Sequence, residues 1–144
     1  MNKVLPDKWV RKSIYDAMND MVISSTEIPF YDSRVTGSVI PPFYVLMTTQ
    51  TNEVDKNNKC EWFWDSSILL DIVTVYGSQG NTGSRLMADD IADEVRSRIN
   101  SIALDVGSGL EIITKTQSFP NDISTVTRNE NIFRKLIRLE MTIK

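Results

Sequence analysis

The chain has 144 residues, of which 41% are hydrophobic and 24% charged; that suits one folded domain with room for a packed core and excludes a low-complexity chain. Lysines and arginines number 16 against 19 aspartates and glutamates, a net charge of −3, which weighs against a sequence-reading duplex binder with its basic contact face. With no histidine and one cysteine, Cys60, the chain lacks the commonest general base and the commonest zinc ligand, and can form neither an internal disulfide nor a Cys–His nucleophile.

No apolar run approaches the length of a bilayer span. The opening MNKVLPDKWV has no apolar stretch of the signal-peptide kind, so a chain made and used without secretion is expected. The segment PDKWVRKSIYDAMNDMV then reads as a helix. Asp7 is placed to cap it, and Val10, Ile14, Ala17, Met18 and Met21 recur at helical spacing to form a buried stripe. Residues 27 to 32 form a short edge strand limited by Pro29. Pro41 and Pro42 mark the start of a strand over 43–52, with Phe43, Val45 and Met47 on one face and Tyr44, Leu46 and Thr48 on the other.

EVDKNNK is a polar hairpin tip. Asp55 and Asn57 suggest a calcium loop, but the glycine and glutamate that such a loop needs are missing. CEWFWDSSILLDIVTVYG follows as a long strand, and Cys60 reads as a small residue at its start. From Ile68 to Tyr76 it is apolar on both faces apart from Asp71 and Thr74, so both of its faces should be covered. A helix is expected on one and a neighbouring subunit could supply the other.

A second helix is expected over 83–102, capped by Thr82 or Ser84, with Leu86, Met87, Ile91, Val95, Ile99 and Ile102 buried and Asp89, Asp90, Asp93, Glu94, Arg96 and Arg98 in water. Glu94 and Arg98 stand in the favourable order for an ion pair. LEIITKTQSF is a further strand and PNDISTVTRNEN a polar loop. In IFRKLIRLEMTIK the residues Ile137, Leu139, Met141 and Ile143 alternate with polar ones to make a closing strand. The fold class is α+β: a mostly antiparallel sheet packed by two main helices, in the order α-β-β-β-α-β-β, with residues 1–144 as one domain.

The glycine loop GSQGNTGSR, between strand and helix, raises the question of nucleotide binding. Its glycines, Gly77, Gly80 and Gly83, fit neither G-x-x-x-x-G-K-[ST] nor G-x-G-x-x-G. The serines lack a histidine base and a G-x-S-x-G elbow. No constellation for catalysis, cofactor binding or metal binding emerges, so the chain reads as a structural or binding protein rather than an enzyme.

Several strings, in order, resemble one family over nearly the whole chain: KWVRKSIYDAMND, IPFYDSRV, PPFYVLMTTQTN, SSILLDIVTVYGS, GSRLMADDIADEVRSRI and RKLIRLEMTIK. The chain is similar to the tail-terminator, or tail-completion, proteins of tailed bacteriophages, which act in the head–tail joining region. Trp62, Phe63, Trp64 and the loop from Pro120 to Asn131 depart from that pattern, and leave open a neighbouring head–tail connector, an adaptor or head-closure ring. A small ligand-binding domain or enzyme is a third reading.

The resemblance implies a virion protein made in the host cytoplasm, with no cofactor and no membrane partner. It would form a homo-oligomeric, hexameric ring between the tail tube protein and the neck, head-completion or portal proteins. DNA would pass through the lumen, which a net acidic chain does not grip. Such a ring is a head-to-tail arrangement that closes. The candidate axial contact is the hairpin tip Val54, Asp55, Lys56, Asn57, Asn58 and Lys59, polar and carried on rigid strands. The candidate lateral contact is Trp62 and Trp64, because tryptophans anchor interfaces; ordinary strand packing is the alternative for both.

Overall fold

A computed structural model of the chain describes residues 5–32, 34, 37, 41–54, 63–77, 86–119, 122–126 and 130–144. The elements run α1 (Asp7–Ala17), β1 (Val22–Ile23), β2 (Thr26–Glu27), β3 (Phe30–Asp32), β4 (Phe43–Val54), β5 (Trp64–Gly77), α2 (Leu86–Asn100), a 3-10 turn (Val106–Ser108), β6 (Ile112–Ser118), β7 (Asp122–Val126) and β8 (Glu130–Ile143). The expected α+β class and order are observed. The structure adds the small β1–β2 hairpin, and β7, which occupies a stretch expected to be polar loop.

The main sheet has the order β3-β4-β5-β8-β6, with β7 also paired to β8. All its pairings are antiparallel except β3 with β4. Because Pro29 has no N–H, it contributes only its carbonyl, which accepts from the Val45 N–H at 3.0 Å. The Pro42 carbonyl likewise accepts from Val75 N–H at 2.8 Å, so both prolines stand at the edges of strands, where a missing donor costs nothing.

Both helices lie on one face of this sheet. Val10 and Ile14 of α1 and Ile91, Val95 and Ile99 of α2 share one core with Ile68, Leu70 and Ile72 of β5 and Ile137, Leu139, Met141 and Ile143 of β8. The stripe expected on the first helix is therefore the buried one. A register shift between Met47 and Thr49 changes which side chains of β4 face inward. Before it Val45 and Met47 are buried. After it Gln50 and Asn52, opposite Ile68 and Ser66, come under α1. A bulge reverses the alternation in this way because one extra residue shifts a period of two.

Two expectations about the helices are corrected. Asp7 does not cap α1: Pro6 holds the N-cap position and no side chain caps it. The Asp7 carboxylate instead accepts from Asn52 Nδ2 at 2.8 Å, tying the helix to β4. Leu86 is not buried but 71% exposed: it stands four and seven residues before the exposed Asp90 and Asp93, on the outward face of α2, while Ala88 in the same turn is buried. The proposed caps Thr82 and Ser84 lie outside the described residues.

Long cations finish the helix ends. Arg98 pairs with Glu94 at 2.9 Å and donates to the carbonyls of Ala17 and Asn19 at 3.0 and 2.7 Å, closing the C-terminus of α1. Lys115 of β6 does the same for α2, reaching Asn100 O at 2.7 Å and Ile102 O at 3.1 Å. A cation against the last carbonyls satisfies acceptors that the helix cannot, and opposes its dipole.

Candidate assembly surface

Neither described helix lies on the second face of the sheet. Strand alternation puts Tyr44, Leu46, Thr51 and Glu53 of β4, Asp65, Ser67, Leu69, Asp71 and Val73 of β5, and Ile132, Arg134, Leu136, Arg138 and Glu140 of β8 on it. The expectation that the apolar stretch of β5 is covered on one side by a helix holds. No described element lies over its other side.

One ion pair organises the middle of this open face. Asp71 is buried, its side chain 3% exposed, while Arg134 from β8 is 41% exposed. Arg134 Nε lies 3.1 and 3.3 Å from the two carboxylate oxygens, and its Nη2 donates to Oδ2. The hydrogen bonds to Asp71 raise the Arg134 pKa, against a smaller opposing effect of burial. Tyr44 stands alongside; burial, and then the Asp71 charge, push its phenol above the ordinary value. Tyr31 meets Tyr44 edge-on at 6.0 Å. A fork of two donors suits a carboxylate and fixes both side chains.

Towards the hairpin end the same face turns polar. A cavity of about 410 Å³ is lined chiefly by Thr51, Glu53, Asp65, Thr116, Arg138 and Glu140. Glu53 and Asp65 are directly opposed across β4 and β5, where like charges repel. Among the described residues no group of three or more His, Cys, Asp or Glu side chains could hold a metal, and no helix is long and apolar enough to cross a membrane.

The hairpin tip proposed as an axial contact is carried by Val54, the last residue of β4, which pairs with Trp64; Asp55, Lys56, Asn57, Asn58 and Lys59 lie outside the described residues. So do Trp62, Cys60 and the glycine loop beyond Gly77. Trp64 is 9% exposed and belongs to the core, opposite Ile143. The strand-packing alternative describes that side chain. The Asp71–Arg134 pair was not singled out from the sequence. The signal was present, one acid in the apolar stretch from Ile68 to Tyr76, but its partner is 63 residues away and only the β5–β8 register brings it near.

No protein-family model matches the chain, and no curated protein does. Among solved structures, a chain described as "Virion of native gene transfer agent (GTA) particle" is similar in fold, with a TM-score of 0.61 and 11% identity over 94% of this chain and 96% of that one.

Proposed function

We propose that this chain is a structural subunit of a phage-like virion, and within it a tail terminator: a ring that ends the tail tube and joins it to the neck or head. The observation that carries the reading is the likeness in fold to a virion chain over nearly the full length of both chains. The run of strings that resembles the tail-terminator family supports the narrower assignment. A tube of repeating rings grows until a ring with a different outer face stops it, so the subunit needs lateral and axial contacts but no chemistry.

In this reading the ring is a hexamer. The tip from Val54 to Lys59 makes the axial contact and Trp62 the lateral one, while Trp64 packs in the core. Its partners are the tail tube protein on one side and the neck, head-completion or portal proteins on the other, with DNA passing through the lumen.

Electron microscopy of the purified chain, alone and mixed with tail tubes, tests this. Rings seated on one end of the tubes are expected. The virion likeness equally favours a neighbouring connector ring, which would instead bind a portal complex as a dodecamer. A chain that engages neither assembly overturns both.

A further inference from the structure

The outward faces of the two helices carry matching patterns of opposite sign. On α1, Lys8, Arg11, Lys12 and Tyr15 are all exposed and follow the spacing i, i+3, i+4, i+7. On α2, Leu86, Asp89, Asp90 and Asp93 are exposed with the same spacing. Side chains so spaced share one helix face. One stripe is three cations with an aromatic at its C-terminal end. The other is three carboxylates with a leucine at its N-terminal end. Tyr15 is 54% exposed and Leu86 71%, high values for large apolar groups.

The geometry points to a second copy of this chain as the occupant: the α1 stripe of one subunit packs antiparallel on the α2 stripe of the next. Antiparallel alignment sets Lys8 against Asp93, Arg11 against Asp90, Lys12 against Asp89 and Tyr15 against Leu86. All four positions are then complementary at once. Parallel alignment sets Tyr15 against Asp93 and Leu86 against Lys8, and loses the apolar pair.

Among the described residues these charges have local partners within the subunit. Lys12 meets Asp105 at 3.2 Å, Asp89 meets Lys135 at 3.0 Å, and Asp93 meets Arg96 at 3.8 Å. Lys8 sits 4.9 Å over the ring of Trp9, and Arg11 Nε donates to Gln50. Lys12–Asp105 and Asp93–Arg96 are exposed pairs, which contribute little, so they can exchange for contacts between subunits. The contact rests on the ring reading in one respect, that copies of this chain assemble. It does not depend on what the assembly joins.

Two charge-reversed chains test it. Lys8→Glu with Arg11→Glu leaves both stripes net acidic; Asp90→Lys with Asp93→Lys, at the positions they face, leaves both net basic. Each alone should lose self-association by roughly a hundredfold, since opposed like charges across an interface cost several kcal/mol. Sedimentation reads the loss, and circular dichroism checks that each variant is folded. Mixed in equal amounts they should assemble again, because each stripe then meets its opposite. The chain carrying all four substitutions should assemble by itself.

Assembly of either double variant at the wild-type level overturns the contact, as does failure of the mixture to assemble, or a wild-type chain that stays monomeric. Rings that depend on these stripes but ignore tail tubes and portals would overturn the proposed function and leave the contact standing. Charge-reversed rings that still seat on tubes would do the opposite.

Discussion

On the covered face of the sheet Ile68, Leu70, Ile72, Ile137 and Leu139 are completely buried. On the open face the same strands set out Leu46, Leu69, Leu136 and Ile132 only partly covered, around the Asp71–Arg134 pair. The strands, the backbone ladder and the β-branched content are common to both. The difference is the two helices. Ladder hydrogen bonds hold the strands together, but removal of apolar side chains from water is a property of what lies on each face. The covered face accordingly carries most of the stability of the subunit.

Truncation on either face puts this contrast under the severest test. Leu139→Ala, on the covered face, should cost about 3 kcal/mol of unfolding free energy through lost burial and a cavity. Leu46→Ala, on the open face, should cost about 1 kcal/mol or less. Urea unfolding of both variants measures the difference, and equal losses would mean that the open face is packed as tightly as the other.

Arg134→Met comes next. It leaves the Asp71 carboxylate buried without its forked donor, and should cost about 2 kcal/mol. That is less than a fully buried pair would lose, because Arg134 is 41% exposed. Asp71→Leu combined with Arg134→Met should recover most of the loss, since neither charge then remains to be desolvated. If the double variant stays as unstable as the single one, the pair is not what organises the open face.

The β1–β2 hairpin gives a smaller effect of opposite sign, away from both faces. Its loop residues Ser24 and Ser25 have φ of 49° and 66°, as a two-residue turn joining Ile23 to Thr26 requires. Serine adopts that region at a cost, and Asn-Gly does not. Ser24→Asn with Ser25→Gly should raise stability by about 0.5–1 kcal/mol, measured by thermal melting.

The smallest effect is a pH dependence on the helix side. The Gly107 N–H first, and then Lys12, hold the Asp105 carboxyl below its ordinary pKa of 3.8. A depressed folded-state pKa contributes stability that is present above the ordinary value and is lost as the pH falls through and below it. Asp105→Asn should therefore flatten the acid limb of a melting temperature–pH curve and leave it unchanged near neutrality. An unchanged acid limb would show that Asp105 titrates alike in the folded and unfolded chains.

Local patterns carried much of the architecture. Val10, Ile14, Met18 and Met21 announce one buried face because helical spacing and burial are linked within a single element. Pro41 and Pro42 place the start of β4 because a missing N–H is a local fact. The Glu94–Arg98 pair is local as well. The candidate assembly surface was less legible. The hairpin tip and the paired tryptophans stand out as strings, whereas the stripes on α1 and α2 gain meaning only once both helices are known to face outward together.

The sequence by itself determined the class of elements, their order, the inner face of each helix and the scarcity of catalytic groups, all of which follow from residue type and short-range spacing. Only the tertiary structure decided that a bulge at Met47–Thr49 turns β4 over, and that Asp7 binds Asn52 rather than its own helix. It also decided that Leu86 faces outward and that 122–126 joins β8 as a strand. Each of these depends on a partner distant in the chain, and the gain from such a partner outweighs the fraction of a kcal/mol to about 1 kcal/mol by which local propensities differ.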